Sequence, residues 1–232
     1  RPEMVAKVVD LFMEQCPDMI VFTGYLVSTE ANEVDWFDVI LSRLHAPDGV
    51  YSILGNHDYL TYAHYLSTEG QAAQREELKE RQRDMNWDLL LNEHRIIRQG
   101  RDSIALVGVE NDGKPPFPER GDLKKALAGI PGYGQGNDST HMFKVLLSHD
   151  PTHWRRKVLT QTDIQLTMSG HTSGMQFLLF GWSHSKFFYP EWKSMYRDSE
   201  RGLYVRLGIG GALIPFRFGA WPEINVITLH NK

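Results

Sequence analysis

The sequence predicts an α/β fold with one site assembled at the carboxyl ends of several strands. Two observations lead there. Four short apolar, β-rich runs each end in Gly, Ser, Asn, His or Asp: Met19 to Phe22 before Thr23-Gly24, Val50 to Leu54 before Gly55-Asn56-His57-Asp58, Phe143 to Leu147 before Ser148-His149-Asp150, and Ile164 to Met168 before Ser169-Gly170-His171. Helical patterns separate the early runs, giving the β-α-β-α-β wiring that favours parallel strands with crossover helices. Reactive groups in open α/β sheets gather at strand carboxyl ends, so these clusters imply a shared site.

Taken in order, Val5, Val8, Val9, Phe12 and Met13 recur at helical spacing, predicting a helix over 3–15 that stops before Pro17. A strand at 19–23 follows, then a second helix through Val34, Phe37, Ile40, Leu41 and Leu44. Ala46-Pro47-Asp48-Gly49 leads into the central strand. Residues 68–85, rich in Gln, Glu, Lys and Arg, read as a solvated helix. His94 to Gln99 and Ser103 to Val109 flank Gly100-Arg101-Asp102 as a hairpin. Asn111 to Gly121 holds three prolines and is a loop placed to lie over the site. Asp122 can cap a short helix through Leu127, and the Gly-rich stretch Gly129 to Thr140 is expected to be mobile. A helix across 152–160 joins the strands into His149 and His171. The aromatic stretch Trp182, Phe187, Phe188, Tyr189, Trp192, Tyr196 reads as core, or alternatively as a wall for an amphiphilic ligand. Leu203 to Leu207 and Ile224 to Leu229 are the last expected strands.

A chain of 232 residues with 41% hydrophobic content can bury a large core. It shows no repeat or internal boundary, so 1–232 reads as a single domain. The net charge of -4 leaves no basic footprint for nucleic acid. The single cysteine, Cys16, cannot form an internal disulfide and reads as a buried structural thiol. No run is long and apolar enough for a membrane span, and no signal peptide is present. Because the chain opens at Arg1 directly into a helical pattern, it is expected to be N-terminally truncated, with a lost anchor left open.

Gly55-Asn56-His57-Asp58, Ser148-His149-Asp150-Pro151 and Ser169-Gly170-His171-Thr172 resemble the third, fourth and fifth motifs of the calcineurin-like metallophosphoesterases, in order and in strand-end position. The resemblance covers roughly Pro17 to Leu229 and is nearest to a bacterial branch of membrane-associated phosphohydrolases. It implies a two-sheet α/β sandwich flanked by helices, and hydrolysis of a phosphomonoester or phosphodiester by two divalent ions (Mn, Fe, Zn or Mg) about 3.5–4 Å apart. Asn56, His149 and His171 match ligands of one ion. His57 matches the histidine that meets the phosphate and protonates the leaving group, and Asp58 would orient it. The implied substrate is a phosphorylated small molecule or lipid. Membrane association through a missing N-terminal segment, and a bacterial membrane-associated or extracytoplasmic location, come with the same resemblance.

Three departures bear on activity. The first motif, an aspartate and a histidine two residues apart, is absent. Tyr25 follows Gly24 where the bridging aspartate belongs, and Ser173 stands in place of the second histidine of the fifth motif. A phenol offers one neutral oxygen where a carboxylate offers two and a charge. The surviving ligands are all neutral, so one divalent ion or none is expected. Two functional readings follow: a phosphoester hydrolase with a damaged metal site, or a catalytically inactive family member serving as a binding or scaffold domain. Tyr25 and Ser173 separate them, because both lie inside the chain. Each motif histidine could also be an ordinary hydrogen-bonded residue. His45, His64, His94, His141, His153 and His184 read as surface or structural. Glu110 and Asp112, in the proline-rich loop, are the carboxylates that could replace missing ligands.

Overall fold

The computed structural model describes residues 2–64, 66–134, 142–179, 182–210 and 217–230. Helix α1 (Pro2–Glu14) carries Pro2 in its first turn, where a missing N–H costs nothing, and buries Val9. Strand β1 (Ile20–Phe22), the short helix α2 (Asp38–Leu41), β2 (Val50–Ser52), α3 (Thr68–Asp84) and β3 (Asp88–Leu89) then wind a three-stranded parallel sheet in the order β1-β2-β3. The hairpin β4 (Glu93–Gln99) and β5 (Asp102–Gly108) opens a second sheet. It is completed by α4 (Leu123–Leu127), β6 (Phe143–Leu147), α5 (Leu159–Gln161), β7 (Leu166–Ser169), α6 (Ser185–Phe188), β8 (Ser194–Asp198) and β9 (Arg201–Val205), with strand order β4-β5-β6-β7-β9-β8.

Alternation along the strands builds the layers. On β6, Val145 and Leu147 join Tyr51 and Ile53 of the first sheet in a core between the sheets, while Leu146 packs outward with Trp154 and Leu127. A third cluster, including Val9, Ile20, Leu78 and Trp87, lies between the first sheet and its helices. The molecule is therefore a two-sheet sandwich flanked by helices, as the sequence predicts. Ser67 caps α3 by accepting from the Gly70 amide, and Asp122 caps α4 by accepting from Lys125.

Several local expectations are corrected. The second helix is not continuous: a 3-10 turn (Ala31–Trp36) precedes α2, and Phe37 breaks the winding at φ -128°. The Glu33 carboxylate accepts from the amides of Ser28, Thr29 and Glu30, which ties the turn to its own loop and holds that carboxyl below its ordinary range against the opposing effect of burial. Residues 224–229 form no strand, and Val226 and Leu229 stay exposed. An alternating pattern needs an edge to pair with, and β8 takes the edge beside β9. Cys16 lies beyond α1 at φ 48° and is exposed, not buried. Residues 135–140 of the Gly-rich stretch expected to be mobile, and His141, lie outside the described residues.

Ser148, His153 and Asp112 form a buried polar staple outside the second sheet. Ser148 Oγ lies 2.8 Å from His153 Nδ1, and Asp112 accepts from Arg156 at 2.5 Å and Lys157 at 2.8 Å. All three are closed to solvent, so the Ser-His-Asp arrangement is structural rather than nucleophilic. Burial depresses the His153 pKa to about 4, with Asp112 only partly opposing it. The unfolded chain takes up that proton near pH 6.5 and the folded one does not. The His153 contribution is therefore fully present above pH 6.5 and is lost as pH falls to about 4, on the order of 3 kcal/mol. Urea unfolding across that range should show this slope, and His153→Gln should flatten it; parallel slopes would refute the assignment.

Candidate functional site

The site forms where the ends of β1, β2, β6 and β7 meet. Beyond β2 the chain turns at Gly55 into a 3-10 turn (Asn56–Tyr59). His149 follows β6, and the Gly170 amide donates to its carbonyl at 3.0 Å, which sets the His149 and His171 loops side by side. A Cβ added at Gly55 would lie 2.5 Å from His149 Cε1, so the imidazole lies directly on the backbone and only glycine fits.

Asp58 fixes the geometry. Its carboxylate, 1% exposed, accepts from the amides of Gly55 (2.8 Å), Tyr25 (2.8 Å), Leu26 (2.8 Å) and Val27 (3.1 Å). Burial pushes this carboxyl up from its ordinary value, and the four amides pull it back. The expected contact from Asp58 to His57 is replaced: His57 Nδ1 lies 2.9 Å from the Ser28 carbonyl instead. Asp58 joins two loops and does not touch the histidine beside it.

Tyr25 stands at the centre. Its ring centroid lies 4.9 Å from that of His57, 4.3 Å from His149 and 5.9 Å from His171. The hydroxyl donates to Asn56 Oδ1 at 2.9 Å and lies 2.7 Å from His171 Nδ1. With its proton given to Asn56, the phenol oxygen accepts from a His171 Nδ1–H, and Nε2 is left to accept from the Tyr189 hydroxyl at 2.6 Å. Asn56 Nδ2 donates to Tyr62 at 2.9 Å. One polarity thus satisfies the chain Tyr62, Asn56, Tyr25, His171, Tyr189. Burial raises the Tyr25 pKa well above 10, with Tyr189, Tyr62 and Asp58 adding to it, so the group is a neutral phenol at neutral pH.

His149 is closed to solvent. Its Nδ1 lies 2.6 Å from the Thr23 carbonyl and must carry the hydrogen. Nε2 is then a lone pair, and among the described residues it has no partner. Burial and the neighbouring His171 hold the pKa of His149 well below 6.5, and burial lowers that of His171 despite the Asp150 carboxylate.

The residues present do not fit a metal pair. Of the three family-matched ligands, only His149 offers a ligating atom without a hydrogen-bond partner, since Asn56 Oδ1 and both nitrogens of His171 are engaged by phenols. Among the described residues, no three His, Cys, Asp or Glu side chains are set to share an ion. Ser173, at φ 46°, heads a 3-10 turn. Glu110 is taken by Tyr59 and Asn92, and Asp112 by Arg156 and Lys157.

Sequence reasoning missed Asp150, Tyr62, Tyr189 and Phe117. Asp150 Oδ2 is buried without a hydrogen bond, 3.8 Å from His171 Nε2. Asp150 sits inside the Ser148-His149-Asp150-Pro151 motif, which carries its signal. Tyr189 hid among aromatics read as core. Phe117, from the proline-rich loop, packs on His171 at 4.8 Å between centroids, which places that loop over the site. Of the other histidines, His45, His64 and His184 are exposed, His94 bonds the Ala126 carbonyl, and His153 is buried.

Because four amides depend on one carboxylate, Asp58→Ala should destabilise by about 3 kcal/mol or more in urea unfolding, and Asp58→Asn, which keeps one acceptor oxygen, by less. A loss under about 1 kcal/mol for the alanine variant would show that these bonds do not hold the loops together.

No protein-family profile matches the chain. It is 29% identical over 227 residues to the uncharacterized metallophosphoesterase YkuE of Bacillus subtilis, covering 93% of this chain and 69% of that protein. It is 29% identical over 231 residues to a transmembrane protein with metallophosphoesterase domain from Danio rerio, and 24% identical over 244 residues to an uncharacterized metallophosphoesterase of Aquifex aeolicus. The chain spans 48% of the Danio rerio protein and 79% of the Aquifex one. Among solved structures, the sulfate thiohydrolase SoxB of Thermus thermophilus, in complex with glycerol, shares the fold at a TM-score of 0.51 and 13% identity, over 87% of this chain and 37% of that one. The family of these relatives implies divalent metal ions, and the donor set of this chain stands apart from that expectation. In sequence over most of its length this chain is similar to proteins named metallophosphoesterases, a phosphohydrolase family, and it shares their α/β fold class.

Proposed function

We propose that this chain is a metallophosphoesterase-family domain that binds a phosphorylated small molecule without hydrolysing it at enzymatic rates. One observation carries the reading: the Tyr25 hydroxyl takes up Asn56 Oδ1 and His171 Nδ1, two atoms that a metal would need. A neutral, buried phenol supplies neither the charge nor the second oxygen of a bridging carboxylate. The reading rests on Tyr25 and Ser173 and not on where the chain begins.

The second reading, a hydrolase with a weakened site, is favoured by the unpartnered Nε2 of His149, which keeps the form of a metal ligand held by a backbone carbonyl. A single divalent ion bound there would be weak, because the described residues bring no third donor to it. The transmembrane name of the Danio rerio relative supports membrane association of the whole protein, although no helix of the described residues is long and apolar enough to cross a membrane.

Tyr25→Asp combined with Ser173→His returns an anionic bridge and a neutral imidazole together. Manganese affinity by isothermal titration should rise in the double variant by more than the two single changes predict, since ligands sharing an ion are not additive. The unmodified chain should hydrolyse a chromogenic phosphodiester no faster than a buffer control. Two manganese ions per unmodified molecule, with turnover on the order of 1–1,000 per second, would overturn the proposal.

A further inference from the structure

Arg206 is a cation that the hydrogen-bonded chain around Tyr25 does not use. Its amide donates to the Ser169 carbonyl at 3.0 Å, which carries the β7–β9 pairing one residue past β9, to the end of the sheet where His171 sits. Leu203 and Val205 face the helices, so Arg206 turns the other way, toward the end of β1. There its guanidinium lies over Phe22, 5.4 Å from the ring centroid, and Nε donates to Thr23 Oγ1 at 2.7 Å. The carbonyl of the same Thr23 holds His149. The guanidinium is therefore a single residue removed from the central histidine.

A guanidinium carries five N–H donors. Nε uses one, and among the described residues the two terminal nitrogens of Arg206 have no hydrogen-bonded acceptor and no ion pair. Glu223 is the carboxylate that acts on it, yet no ion pair joins them, and Glu223 Oε1 accepts from the Leu207 amide at 2.8 Å. A second cation stands near. Arg217 uses its three nitrogens on the carbonyls of Gly210, Ala220 and Leu207, so it adds charge without taking up an anion itself. Two guanidiniums against one carboxylate leave the immediate surroundings of Arg206 net positive. Arg206 is densely surrounded but keeps part of its surface open, and burial lowers its pKa to about 10, which leaves it charged at neutral pH.

We propose that the two terminal nitrogens of Arg206 bind a phosphoryl oxyanion at the ends of β1 and β9, beside the Tyr25 pocket and independently of any metal. Planar paired donors match two oxygens of such a group, and the excess positive charge around Arg206 suits its double charge better than the single charge of a carboxylate. This names where the ligand's charged group sits, which the reading of Tyr25 does not, and it stands whether or not the metal pocket is closed.

The test is inorganic phosphate titrated into the whole chain in EDTA, followed by isothermal titration calorimetry. Saturable binding is expected. Arg206→Gln should weaken it about tenfold or more, the effect of losing a charged hydrogen-bonding group. Arg206→Lys, which keeps the charge but loses the fork, should weaken it by less while keeping the wild-type melting temperature, so the result does not hang on the glutamine variant folding. No saturable binding, or wild-type affinity in both Arg206 variants, would overturn the Arg206 site and leave the Tyr25 reading standing. Phosphate binding that appears only with added manganese would overturn both.

Discussion

Everything at this site hangs on the Asp58 carboxylate. Two loops that leave different strands, 24–27 after β1 and 55–58 after β2, present four amide donors to one buried acceptor. Neither loop has a ladder partner there, so without Asp58 those N–H groups would be buried and unpaired. The position of Tyr25, and through it the relation of Asn56 to His171, follows from this single group. Asp58 therefore shapes the site by organising backbone, at a distance from any reacting atom.

Given that frame, Tyr25 shows how a pocket can be filled without disturbing its walls. A phenol has a donor for Asn56, an acceptor for His171 and a flat ring that packs edge-on against His149 at an interplanar angle of 62°. Two polar neighbours that would otherwise need an ion or water are quiet around it. His149 is the exception, because its geometry is fixed by Thr23 and Gly55 and not by Tyr25. A buried lone pair without a partner is uncommon, and here, with Asp150 Oδ2, it is a trace of a different chemistry.

The fold was legible where apolar patterning is strong. The short apolar run Phe143 to Leu147, buried on both faces, declared β6, and the 3.6 period of Val5, Val9 and Phe12 declared α1. Where pairing decides, composition misled: Ile224 to Leu229 alternates well but has no edge, and β8 lies within aromatics that conceal its alternation. The residues that meet at the site were legible because turn chemistry marks strand ends. The bond made by Asp58 was not, since a carboxylate beside a histidine suggests a side-chain partner, and only the folded loops bring the amides of 25–27 within reach. Tyr189 and Arg206 were invisible for the same reason: both come from the distant carboxyl-terminal part of the chain.

Tyr25 adopts φ 69°, a left-handed conformation that bulky residues seldom occupy and that aspartate and asparagine enter more readily. His171 and Ser173, at φ 63° and 46°, share it. The main chain at position 25 is thus cast for a short polar side chain, while the space around it is fitted to a large ring. Exchange of the side chain alone meets a mould already prepared. Adding or deleting a residue in the same loop does not, because it would have to re-register three amides on Asp58. Over a long history of mutation, such a loop should change its chemistry far more readily than its length.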